Sequence, residues 1–349
     1  MQSKVFFKSV SDGDAEAISA AGRGVLEALL EDSKIGLAAE VPLKVHFGER
    51  GNRTYLRQDF FAGIIDLLEE NNSRGSFMET SVLYGGERYT SEKHIKLAHS
   101  HGFDRLPVVM ADGESGGDAG LVPVPCGKFF KSATIARKLA EAEQTIVLSH
   151  FKGHMLAGFG GAVKQLSMGF AAKGGKMAMH LNVKPSIRAW RCKNCGLCVS
   201  RCNEKAITQK GRHYVIDRSK CIGCGACFSI CPAHAVSVWS FAGLANALFK
   251  GRFFREKLVE YAFAGHKGKK NIYINFALNI TRGCDCEPHP MRKISRDIGV
   301  FCSLDPVAAD RACIDALKER KVKFKGVEQL DYAERIGMGS NEYELVTLE

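Results

Sequence analysis

No acidic residue occurs between Glu143 and Glu204, sixty consecutive positions that carry nine lysines and arginines. Nowhere does the chain reach about 18 consecutive apolar residues, the length that spans a bilayer. Residues 1–19 meet acidic and polar side chains before any apolar core of signal-peptide length. We therefore expect a cytoplasmic chain with no membrane span. The acid-free stretch has no interleaved aromatics and matches no nucleic-acid module, so nucleic acid is not an expected partner. Nucleotide loops are missing as well. Val163 stands where G-x-G-x-x-G needs its last glycine, and there is no G-K-[ST].

Cysteine is plentiful, thirteen in 349 residues. In a chain without an export signal this favours metal and redox chemistry over disulfides. Eight lie within 192–231 as two copies of C-x2-C-x2-C-x3-C: Cys192, Cys195, Cys198 and Cys202, then Cys221, Cys224, Cys227 and Cys231, the last followed by Pro232. Three thiolates two residues apart can curl one loop round a cubane cluster, and the fourth must come from elsewhere. In two-cluster ferredoxins the fourth cysteine of each run serves the other cluster. The expected sets are therefore Cys192, Cys195, Cys198 and Cys231 for one 4Fe–4S cluster, and Cys202, Cys221, Cys224 and Cys227 for the other. The halves repeat at an offset of 29 residues, with Gly196 matching Gly225, Ala206 matching Ala235 and Ile207 matching Val236. Zinc bound by paired C-x2-C motifs is the alternative, but it leaves the four-cysteine spacing of each copy unexplained.

The rest of the chain alternates strands and helices. Helices are expected near 14–31, 59–70, 91–101, 132–143, 162–168, 241–264 with a break at Gly251, 307–317 and 329–336. Strands are expected near 41–47, 77–84, 106–110, 121–125, 145–148, 271–280 and 297–301. The βαβα order implies an α/β fold with a mainly parallel layered sheet, whose ligands gather beyond the carboxyl ends of the strands. The cysteine module would interrupt it as a small α+β insertion, dividing the chain into 1–184, 185–240 and 241–349. Asp305 before Pro306 reads as a helix N-cap.

Two stretches outside the module carry chemistry. In 149–180, Gly158, Gly160 and Gly161 precede a helix whose first turn holds Lys164, which would suit a phosphate or carboxylate cradle; a glycine-rich loop packed against the module explains them equally. With Lys152 and Lys176, Gly160 and Gly161 are the candidate cofactor-binding residues, for an anionic organic cofactor or substrate. The acid-free run could instead be a solvated face. His150, His154 and His180 read singly as structural. Cys284 and Cys286, two apart on a loop after a strand, could be redox thiols, a nucleophile or, with His289 or Cys302, part of a third metal site; incidental thiols are the plain alternative. Lys164, His154, Cys284 and Cys286 are the candidate catalytic residues.

Taken together, 41–48, 149–176, His180 with Pro185, Cys284-Asp285-Cys286 and Asp305-Pro306-Val307-Ala308 resemble the ferredoxin-containing form of the proteins grouped as domain of unknown function 362. The resemblance implies an α/β domain interrupted by two 4Fe–4S clusters and assigns no reaction. The expected function is an oxidoreductase passing electrons from the clusters to an anionic substrate. The alternative is a noncatalytic electron carrier or maturation partner. Across 192–231, seven basic side chains oppose only Glu204 and Asp217, which suits an acidic redox partner.

Overall fold

A computed structural model describes residues 2–10, 14–181, 184–202, 205–221, 226–237 and 252–349. The first half contains β1 (Ser3–Ser9), α1 (Ala15–Ser33), β2 (Glu40–Lys44), α2 (Ala62–Glu70), β3 (Arg74–Glu79), α3 (Ser91–Ser100), β4 (Val108–Met110), β5 (Ala119–Pro123), β6 (Ser132–Ala136) and α4 (Arg137–Glu141). Next come β7 (Ile146–His150), β8 (Lys152–His154), β9 (Gly158–Gly160), α5 (Ala162–Ser167) and α6 (Lys173–Leu181). The cysteine region has β10 (Ser186–Ile187), α7 (Leu197–Ser200), β11 (Ile207–Lys210), β12 (His213–Ile216), α8 (Ala226–Ile230) and β13 (Val236–Ser237). The last part holds α9 (Arg252–His266), β14 (Ile272–Ala277), β15 (Gly299–Ser303), α10 (Pro306–Glu319), α11 (Glu328–Arg335) and β16 (Tyr343–Thr347).

Eight strands form one sheet in the order β16-β1-β15-β14-β7-β2-β3-β4. Only the β1/β15 and β14/β15 pairs are antiparallel, so the sheet is mostly parallel, as the alternating pattern implied. Successive strand residues face opposite sides, and the core divides accordingly. Ile146, Leu148, Ile272, Ile274 and Phe276 join the layer with α1 and α2. Val147, Tyr273 and Phe301 join the layer with α5, α9, α10 and α11. Asp14 caps α1 by accepting the Ala17 N–H, and Asp305 caps α10 by accepting those of Val307 and Ala308.

One expectation needs correction, and two further elements were not expected. The helix expected over 132–143 is β6 followed by the short α4: Thr134 and Ile135, both β-branched, pair with β5 instead of extending a helix. Beyond the helix expected at 329–336 lies β16, an edge strand parallel to β1. Lys152 and Gly160 open and close an unexpected hairpin, β8–β9. The expected break at Gly251 lies outside the described residues.

The cysteine region repeats structurally at the same offset as its sequence. Ile207 pairs with Ile216, and 29 residues on, Val236 pairs with Ile187, itself 29 residues before Ile216. Lys205 and His234, also equivalent, both adopt φ 48°. A small core joins Cys198, Ile207, Cys227 and Val236.

Candidate functional site

The carboxyl ends of β2, β3, β7 and β14 open on one cavity of about 140 Å³. Beyond β2 comes His46; at the end of β3 come Glu79 and Thr80; β7 leads through β8 to His154; the loop after β14 brings Cys284 and Cys286. From the helical layer, α5 adds Lys164, and α6 adds Lys176 and His180. All four catalytic candidates therefore meet, together with Lys176.

The loop holding the cysteines is fixed through its middle residue. Asp285 is fully buried, with Lys152 Nζ at 2.7 Å and His150 Nδ1 at 2.9 Å. The other ring nitrogen of His150 lies 2.7 Å from the Leu278 carbonyl. Glu49 N–H donates to the Asp285 carbonyl, while Glu287 accepts the Cys284 N–H at 3.0 Å. With Asp285 held in this way, the side chains on either side of it both line the cavity. Burial opposes the Asp285 charge, but His150 and Lys152 outweigh it and hold the carboxyl below the usual range.

Cys284 is buried, and its surroundings favour the thiolate. The hydrogen bond with Cys286 is the largest influence; burial opposes it, and Lys164 and His154 support it, so the Cys284 pKa lies well below an ordinary thiol's. Lys164 Nζ is 3.9 Å from Cys284 Sγ. Burial acts against the Lys164 charge, but Cys284, Cys286 and Asp285 outweigh it and raise its pKa. Cys286 moves the other way, raised by its hydrogen bond to Cys284 and by burial. The two shifts have opposite directions, favouring the thiolate on Cys284 and the thiol on Cys286.

His154 is kept neutral by burial and by Lys164. Its Nδ1 accepts the N–H groups of Leu156 (3.2 Å) and Ala157 (3.0 Å), which leaves the proton on Nε2. The ligand atoms of His154, Cys284 and Cys286 lie within 4.8 Å of one another, close enough to suggest a metal. A metal-bound imidazole, however, donates its remaining N–H to an acceptor. Here Nδ1 faces two donors, so this ring suits a hydrogen bond to a thiolate better than a bond to a metal.

Around these groups the cavity is cationic. Lys176 Nζ donates to Thr80 Oγ1 and the Ala171 carbonyl, both at 2.6 Å, and burial lowers its pKa to about 8. Among the described residues neither Lys164 nor Lys176 has a carboxylate in ion-pair contact, whereas Lys44 is neutralised by Glu79 at 2.7 Å. Arg88 bonds Glu49, Tyr84 and His46. Burial, then His154 and Lys164, lower the His180 pKa to about 4.

Three candidate cofactor residues, Gly161, Gly160 and Lys152, have other occupations. The α5 N-terminus is closed by the chain's own Asp310, which accepts the Ala162 N–H at 2.6 Å and the Val163 N–H at 3.0 Å. A Cβ on Gly161 would stand 2.2 Å from that carboxylate, so the glycine makes room for Asp310 and not for an external anion. Gly160 pairs with Lys152 in the β8–β9 hairpin. Lys152 is committed to Asp285. His289 and Cys302 do not complete a site with Cys284 and Cys286: His289 is near Glu287 on an exposed loop, and Cys302 is inside the α1 layer. Sequence reading missed Arg88 and Asp310, which have no motif around them.

In the cysteine region, Cys192, Cys195, Cys198 and Cys231 line one small cavity. Cys202 accepts the Ala206 N–H at 3.2 Å, and its equivalent Cys231 accepts the Ala235 N–H at 3.3 Å. Cys221 and Cys227 are described; Cys224 lies outside the described residues. Helix α6, which lines the main cavity, packs on α8, and Arg201 donates to Ser115 at 2.8 Å.

No helix among the described residues is long and apolar enough to cross a membrane. No curated protein matches the chain. Among solved structures, a protein from Thermotoga maritima is similar over 89% of this chain and 60% of its own, at 10% identity and a TM-score of 0.41. The lactate racemase apoprotein from Thermoanaerobacterium thermosaccharolyticum is similar over 78% of this chain and 50% of its own, at 12% identity and a TM-score of 0.39. The chain thus spans about half to three fifths of the length of these structures. The family model for the domain of unknown function DUF362 matches residues 41–315, most of the sheet, the cysteine region and every residue lining the main cavity, and the chain belongs to that family.

Proposed function

We propose that the chain is an iron–sulfur oxidoreductase in which reducing equivalents received at a module spanning 185–240 are delivered to an anionic organic substrate or cofactor in the main cavity. The observation that carries this reading is the meeting of Cys284, Cys286, His154, Lys164 and Lys176 in one cavity whose wall, α6, packs on the cysteine region.

The residues suit the clusters. Cys192, Cys195 and Cys198 share their cavity with Cys231 of the other run, the three-plus-one partition of a two-cluster ferredoxin and not the pairwise partition of zinc. Backbone N–H groups already point at Cys202 and Cys231, the kind of bond that tunes a cluster. Cys202, Cys221, Cys224 and Cys227 would hold the second cluster. Bound there, the two 4Fe–4S groups would supply electrons one at a time. In the cavity, Lys164 and Lys176 hold negative charge that grows as the substrate is reduced, and being fixed beforehand they lower the barrier. His154 can give its Nε2 proton.

Anaerobic purification tests this, with iron and sulfide analysis, paramagnetic resonance after reduction, and mass spectrometry of any small molecule released on denaturation. About eight irons per chain with an anionic organic compound supports the reading. Zinc in place of iron contradicts it. The second reading, a carrier or maturation partner, draws on one observation: Trp190 (75% exposed), Leu197, Val199 and Phe228 are exposed apolar side chains on the basic cysteine region. It predicts an acidic partner protein whose binding weakens as salt rises.

A further inference from the structure

We propose that Cys284 and Cys286 are a dithiol–disulfide couple that reduces small anionic disulfides, with Cys284 attacking and Cys286 resolving. This names a substrate class for the cavity already described. It rests on the reading above only for the source of its electrons.

The geometry carries the assignment. The two sulfurs lie within 4.8 Å on one loop, and that loop is held from behind by Asp285. His154 presents its Nε2 proton and Lys164 its ammonium toward Cys284, so the attacking sulfur is defined by its donors. Among the described residues outside the cysteine region, the other two buried cysteines have different surroundings: Cys302 sits in apolar packing, and Cys313 lies beside Asp310, whose charge disfavours a thiolate. Lys164 and Lys176, without carboxylate partners among the described residues, set the preference for an anion. A metal is disfavoured by the His154 tautomer, as argued above.

The exchange balances. The Cys284 thiolate attacks one sulfur of R–S–S–R′, forming Cys284–S–S–R and releasing R′S⁻. Cys286 gives its proton to R′S⁻ and attacks Cys284 Sγ, releasing RS⁻. The substrate S–S bond has been exchanged for one between Cys284 and Cys286, so the substrate gains two electrons and the pair loses them. Two electrons and one proton, from a second dithiol or from the electron supply of the cysteine module, restore thiolate and thiol.

The test uses anaerobically purified full-length protein, glutathione disulfide as probe, and peptide mapping by mass spectrometry after alkylation. Wild type should form the Cys284–Cys286 disulfide. Cys286→Ser should stall with glutathione on Cys284. Cys284→Ser should gain adduct at Cys286 at least about tenfold more slowly. The neutral 2-hydroxyethyl disulfide should react about tenfold more slowly than the anionic probe. Equal adduct rates at Cys286 in Cys284→Ser, no reaction at Cys284 in wild type and Cys286→Ser, or equal rates for the two probes would overturn the proposal. Equal iron content across the variants confirms folding. Because the readout is mass and not electron flow, exchange can succeed where iron analysis fails, and the reverse.

Discussion

At Cys284 five influences compete: burial favours the neutral thiol, while Cys286, Lys164, His154 and Lys152 favour the thiolate. The sign of the outcome can be measured. A thiol with a lowered pKa stays ionised until the pH falls through that lowered value. Alkylation of Cys284 by iodoacetamide should therefore fall less steeply from about pH 9 to about pH 7 than that of an ordinary thiol. Lys164→Met should steepen the fall, and an unchanged profile in that variant would remove Lys164 from this role. Cys302 and Cys313, pushed up by burial, should stay unlabelled in the native protein. Behind the loop, Asp285→Asn would leave Lys152 buried without its counter-charge. Loss of one partner of a buried pair costs about 3–5 kcal/mol, so denaturant unfolding should show a loss of that size. A loss within error of zero would mean that Asp285 does not anchor the loop.

At the scale of elements, the site depends on where α5 starts. Its Lys164 is positioned by a helix whose first N–H groups are bound by Asp310, 148 residues further along the chain. Gly161→Ala should displace that carboxylate, because the new Cβ would lie 2.2 Å from Asp310 Oδ1. Leaving buried donors unpaired costs about 1–3 kcal/mol, and the shift of Lys164 should slow Cys284 alkylation. Gly85→Ala, with nothing within 4 Å of its new Cβ, is the control; equal effects of the two changes would refute the account of Gly161. The same contact explains what the sequence could and could not disclose. Glycines before a helix announce a close approach, but not by what, and Asp310 has no local signal. Strands β2, β7 and β14 and the cap at Asp305 were legible because their patterns are local. Strand β6 was not, since Ala and Leu suggested a helix while pairing with β5 decided otherwise. Convergence of Cys284 and Cys286 on His154 and Lys164 follows from the parallel sheet order, which places the ends of β7 and β14 side by side.

For the whole molecule, the claim is that a repeated cysteine region and a cationic dithiol cavity belong to one electron path. The repeat makes a specific demand on ligation. Cys198→Ala and Cys231→Ala should abolish the same paramagnetic signal despite lying in different runs, whereas Cys202→Ala and Cys227→Ala should abolish the other. Loss grouped by run would contradict the partition. The path itself is tested by a donor that cannot enter the cavity of about 140 Å³. A small reduced electron-transfer protein should be titrated anaerobically into chain whose Cys284–Cys286 pair has been oxidised to the disulfide. Wild type should accept two electrons per chain more than Cys284→Ser with Cys286→Ser, at equal iron content, and Cys198→Ala should leave the disulfide intact. Equal electron uptake by wild type and the double variant would contradict delivery from the cysteine region to the cavity.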